Sequence, residues 1–111
     1  SVKTVQLGTS GGYATSGYTS YGTITDGAGT GATSSSTAFI SYTNTAGAQF
    51  FGNYIFTKAT GNTWVLSYSG ADISSGSVTG GGNVGLSGAL DRIRIQCGNA
   101  FTGGGGNVYY E

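Results

Sequence analysis

Four carboxylates, Asp26, Asp72, Asp91 and Glu111, are the residues of this 111-residue chain best equipped for acid–base chemistry. No two are adjacent, and a glycosidase pair would need two of them to meet in space across a cleft. His is absent, which removes the commonest general base and metal ligand near neutral pH. Cys97 is the single cysteine, so no intramolecular disulfide exists, and we read it as a buried structural thiol. Asp26-Gly27 and Asp72 offer oxygens to a Ca²⁺ ion but belong to no spaced set of ligands. Gly103–Gly106 lacks the Lys and Ser/Thr that complete a phosphate loop, and a strand follows it where a helix N-terminus is needed. From these residues we expect no catalytic group, no metal and no cofactor.

Recognition is the chemistry that remains. Arg92 and Arg94 stand two residues apart, on one side of an alternating stretch, and are candidates for ion pairing with a partner. Tyr13, Tyr18 and Tyr21 recur in a Gly/Ser/Thr-rich region as exposed interface anchors. The same rings suit saccharides, having apolar faces and polar tips, although no Trp accompanies them. Arg92, Arg94, Tyr13, Tyr18 and Tyr21 are therefore the expected contact residues.

Strands must position these groups. Leu90 to Cys97 alternates strictly, with Ile93, Ile95 and Cys97 toward the core and Arg92, Arg94 and Gln96 toward water or a partner. Residues 98–111 then read as a Gly-rich loop and a returning hairpin strand. Earlier in the chain, Ser1–Leu7 reads as an edge strand, Gly8–Gly17 as a loop and Tyr18–Thr25 as a strand. Asp26–Ser36 has no large side chain and reads as an exposed loop or arm. Strands follow at Thr37–Thr43 and Gln49–Lys58, the second with a bend at Gly52-Asn53. Thr60-Gly61-Asn62 makes a tight turn into Thr63–Tyr68, the most apolar strand and the expected home of Trp64 in the core. Gly70–Gly82 is small and polar again, and Asn83–Ser87 is a short strand. Seven to eight strands without helical period predict an all-β, single-domain antiparallel β-sandwich or jelly roll over 1–111, with 1–36 loop-rich and arm-like.

Composition narrows the partners. Charged residues make up 7% of the chain, against about 25% in typical soluble domains, and the net charge is zero. Four scattered basic residues supply no patch for phosphates, so nucleic acid is not expected. No apolar run approaches the roughly 20 residues of a membrane span. The 23 Gly raise the entropic cost of folding while the core stays thin, which favours burial against other subunits as a homo-oligomer or assembly component. Ser1 is the kind of small residue that follows a removed initiator Met, consistent with a natural N-terminus or an excised fragment.

The stretch Asp91-Arg92-Ile93-Arg94-Ile95, then Gly98-Asn99, Phe101, Gly103 and Asn107-Val108-Tyr109-Tyr110-Glu111, resembles the terminal hairpin of small β-sandwich modules on bacteriophage virions. Residues 37–64, with an aromatic strand, a Lys and a Gly-Asn turn into Thr63-Trp64, resemble the middle of these modules. The resemblance covers the chain from Thr37 onward; the N-terminal third departs from it. Such modules act as head-decoration (cement or staple) proteins and as tail-fibre tips. The resemblance implies a non-enzymatic capsid decoration protein on the outer surface of the virion. It would be a dimer or trimer that clamps neighbouring major capsid protein subunits. The alternatives are a tail-fibre tip recognising bacterial surface polysaccharide and a carbohydrate-binding module. On the decoration reading, replacing Arg92 and Arg94 together by Ala is expected to weaken assembly.

Overall fold

Backbone pairing, more than side-chain size, decides where this chain forms strands. The structure, a computed structural model, describes residues 3–26, 29–41, 50–72 and 76–97. Nine strands form among the described residues: β1 (Lys3–Thr9), β2 (Gly12–Tyr13), β3 (Thr19–Asp26), β4 (Gly29–Ser35), β5 (Phe39–Ser41), β6 (Phe50–Lys58), β7 (Thr63–Asp72), β8 (Gly76–Gly85) and β9 (Arg92–Cys97). Every pairing is antiparallel. A four-stranded sheet is built on β1, which has β9 along one side and both β5 and β2 along the other. A five-stranded sheet runs β4-β3-β8-β7-β6. The two pack together as an all-β sandwich, as the sequence predicts.

Alternation sorts the side chains. Val5 and Leu7 of β1 and Phe39 of β5 are buried against Ile24, Leu66, Tyr68, Val78 and Val84 of the larger sheet. Tyr18 meets Phe39 edge to face at 5.0 Å, an arrangement worth about 1 kcal/mol beyond the area buried. Trp64 packs partly buried at the margin of this cluster. Side-chain hydroxyls then join the sheets. Tyr68 Oη donates to Ile40 O at 2.9 Å, and Ser20 Oγ accepts from Ile40 N at 2.9 Å. Both main-chain groups of Ile40 are thus satisfied from the opposite sheet. Tyr68 reaches across because Gly80 lies beneath it; a Cβ there would collide with the Tyr68 hydroxyl.

The turn between β6 and β7 forms as predicted. Lys58 pairs with Trp64, Thr63 N donates to Thr60 O at 3.1 Å, and Gly61 takes a positive φ of 61°. Other expectations need correction. The Asp26–Ser36 loop or arm is strand β4 over most of its length, paired in register from Ser20↔Ser35 to Asp26↔Gly29. The Gly8–Gly17 loop contains the end of β1 and the short β2. Gly70–Gly82 lies largely in β7 and β8, and the short strand at Asn83 is the end of β8. Small residues satisfy a ladder as well as large ones, because its hydrogen bonds are main-chain. No bend interrupts β6 at Gly52-Asn53; its register with β7 runs unbroken from Phe50↔Asp72 to Lys58↔Trp64. The first strand, read as an edge, is central. The returning hairpin strand after Cys97 lies outside the described residues, and the expectation of a buried Cys97 thiol concerns a side chain that is likewise not described.

β9 carries the main correction. Ile93 and Ile95 pair with Leu7 and Val5 and so share the core-side face, as the alternation predicts. They remain 44% and 54% exposed, however, while Leu7 and Val5 are buried. The alternation reports the phase of a strand. It does not report whether the opposite sheet reaches that far.

Candidate interaction surface

The outer face of the four-stranded sheet gathers most of the polar chemistry. Arg92 and Arg94 lie opposite Gly8 and Gln6 of β1, and Tyr13 of β2 lies opposite Gly8 from the other side. Gly8 has no side chain, so the Arg92 stem passes over it; a Cβ would sit 2.7 Å from Arg92 Cγ. The Arg92 guanidinium is paired with Asp91, Nε to Oδ1 at 2.7 Å and Nη2 to Oδ2 at 3.4 Å. That pair is exposed, so water screens it and it adds little to stability. Asp91, through its hydrogen bond and its charge, raises the Arg92 pKa further above its ordinary value.

Arg94 is held more firmly. Its guanidinium carbon lies 4.2 Å from the centroid of the Tyr13 ring, and Nη2 donates to Gln6 Oε1. Gln6 is buried, and its Nε2 donates in turn to Thr37 O at 2.9 Å. The result is a chain of contacts from β9 through β1 to the start of β5. Its cations are engaged within the molecule, except that Arg94 Nε is buried and unpartnered among the described residues.

The outer face of the five-stranded sheet is built differently. In register, Ile55 of β6, Ser67 of β7, Gly81 of β8, Tyr21 of β3 and Ser34 of β4 form one row across all five strands. Other rows place Phe51 and Val65 on the same side, among Ser and Thr residues such as Thr23 and Thr79, whose hydroxyls lie 3.1 Å apart. Tyr21, Phe51, Ile55 and Val65 are all exposed. Asp26, Lys58 and Asp72 are the charged residues of this sheet, and each is the last residue of its strand. The middle of the face is therefore uncharged. Beside Tyr21, residues Thr19, Ser34, Ser36 and Thr37 line an open depression of about 460 Å³.

The structure thus divides the predicted contact residues into three sets. Arg92, Arg94 and Tyr13 come together on one face. Tyr21, 63% exposed, stands on the opposite face of the sandwich. Tyr18, expected to be exposed, is 4% exposed and belongs to the core. Its hydroxyl accepts from Leu7 N at 3.0 Å and donates to Ala14 O at 2.9 Å. Burial raises its pKa, partly offset by the Leu7 hydrogen bond and the Arg94 charge. Phe51, Asn53, Ile55 and Val65 were missed as surface residues. The signal was present: β6 has large apolar residues in both phases, as Tyr54 and Phe56 on one and Phe51 and Ile55 on the other, which marks a strand with two faces to cover.

No cluster of three or more metal-binding side chains occurs among the described residues. No helix long and apolar enough to cross a membrane occurs among them either. Comparison with known protein families, curated proteins and solved structures finds no match.

Proposed function

We propose that this chain is a non-enzymatic structural protein of a bacteriophage virion. On this reading it is a decoration protein on the outside of the head that binds across major capsid protein subunits and stabilises them. The observation that carries the reading is the outer face of the five-stranded sheet: broad, uncharged at its centre, and bearing four exposed apolar side chains. Exposed apolar side chains on a face without charge give a partner apolar area to bury. An uncharged, hydroxyl-rich face can be covered without the desolvation cost of burying ions. The mechanism is mechanical. Interface buried across subunit seams resists the outward pressure of packaged DNA.

A second reading has its own observation. The Tyr21 ring beside the hydroxyls of Thr19, Ser34 and Ser36 is a surface that suits a sugar, as in a tail-fibre tip that recognises bacterial surface polysaccharide. Paired co-sedimentation separates the two. The purified chain is offered to undecorated phage heads and, separately, to host cells. Saturable pelleting with heads alone is the expected result. Pelleting with cells alone overturns the decoration reading in favour of the tip.

A further inference from the structure

Edge strands of soluble proteins are usually protected by Lys, Pro, a bulge or a covering element, because their unpaired main-chain groups template the addition of another strand. Among the described residues β6 ends the five-stranded sheet and pairs with β7 alone. From Phe50 to Thr57 it has no charge, no Pro and no break in register. It also exposes Phe51 and Ile55. β4, at the other end of the same sheet, pairs with β3 alone among the described residues but consists of Gly, Thr, Ala and Ser, so a partner there would gain main-chain bonds and little else.

We infer that β6 pairs antiparallel with β6 of a second copy about a two-fold axis through Asn53. The strand is a chemical palindrome about that residue. With Asn53 opposite Asn53 of the second copy, Phe51 faces Ile55 on each side of the axis, and Gly52 faces Tyr54. Aromatic and β-branched side chains directly opposite each other form one of the favourable cross-strand pairs, and an aromatic beside Gly covers its bare main chain. Shifting the register by two residues sets Phe51 against Asn53 in one direction and Asn53 against Ile55 in the other. A strand that pairs with its own copy makes an isologous, closed contact, which yields a dimer and nothing larger. Odd residues meet odd residues in this register, so the uncharged outer faces continue into each other across ten strands.

The continuation has a consequence for docking, which rests on the role proposed above, whereas the register argument does not. Five strands of about eight residues span a plane of roughly 20 Å by 25 Å, on the order of 500 Å². A stable interface takes about 800 Å² from each partner. One copy falls short, and two joined at β6 supply on the order of 1,000 Å².

Charge exchange at Asn53 tests the pairing, because this exposed position meets only itself across the axis. Sedimentation equilibrium over a concentration series should give wild type twice the 11.0 kDa chain mass. Asn53→Lys and Asn53→Asp should each sediment as a single chain with an unchanged circular dichroism spectrum, since like charges directly opposite repel. An equimolar mixture of the two should return to twice the chain mass. A wild type that stays a single chain, a wild type of three chains, or an Asn53→Lys protein as associated as wild type would each overturn the inference. None of these readings involves phage heads, so their failure is separate from failure of the decoration reading.

Discussion

The two outer faces of the sandwich solve opposite problems. On the four-stranded sheet, Arg92 is engaged by Asp91, and Arg94 is engaged by Gln6 and the Tyr13 ring. A partner that docked there would have to match or break contacts the molecule already makes with itself. On the five-stranded sheet, Tyr21, Phe51, Ile55 and Val65 are exposed on a floor of small hydroxyl residues. A partner displaces water there without burying a charge. The lesson is that a scarce charge on a nearly uncharged protein does not by itself mark a partner site. A surface whose groups are already satisfied has less to gain from a partner than one whose apolar groups are not.

Substitutions can break this contrast, and the largest effect is expected on the five-stranded face. Ser67→Glu places a carboxylate in the middle of the Ile55–Tyr21 row, where covering it would strand an unpaired charge. Affinity for undecorated heads should fall by about 100-fold or more, on the order of 3 kcal/mol, while the urea midpoint barely moves. Gly80→Ala attacks both faces at once by driving Tyr68 away from Ile40 O, and should cost about 1–3 kcal/mol in urea unfolding. The arginines sharpen the comparison. Arg94→Ala removes a ring contact and a hydrogen bond to buried Gln6, and should cost about 1–2 kcal/mol of stability. Arg92→Ala should leave the urea midpoint almost unchanged, because its pair with Asp91 is exposed and screened by water. Measured together in the head-binding assay, the two arginine substitutions should weaken binding far less than Ser67→Glu.

A smaller effect concerns pH. Burial raises the pKa of Tyr18 and of Tyr54 above the ordinary 10.0. The unfolded chain therefore releases these protons first as the pH rises, and the native state binds more protons than the unfolded one. The stabilisation this represents is fully present below pH 10 and is lost as the pH climbs through the raised native values. Urea midpoints taken from neutral pH upward should decline above about pH 10, and Tyr18→Phe should flatten that decline. An alkaline limb unchanged in Tyr18→Phe would show that this hydroxyl is not the buried group.

The fold was legible where side chains carry a period. Trp64, Leu66 and Tyr68 alternate with Val65 and Ser67, and the Gly61-Asn62 turn before them has the residues a tight reversal needs. β4 and the Gly80–Gly82 part of β8 were illegible because their strands are held by main-chain bonds and present almost no side chain to read. Edge and centre were also beyond the sequence. β1 and β9 show similar alternation, yet one is central and covered while the other leaves Ile93 and Ile95 exposed. Of the site, the grouping of Arg92 with Arg94 followed from their spacing, and Tyr13 joined them only through the β1–β2 hairpin. Tyr18 and Tyr21 could have been told apart. They sit three residues apart, in opposite phases of one strand direction, and only one phase can enter the core.

Hydroxyl-radical footprinting of the chain free and bound to undecorated heads compares the two faces in one experiment. If the five-stranded face docks, Tyr21 and Phe51 will be protected on binding while Tyr13 reacts as it does in the free protein. Protection of Tyr13 with Tyr21 and Phe51 left reactive would contradict the assignment and return the contact to the arginine face.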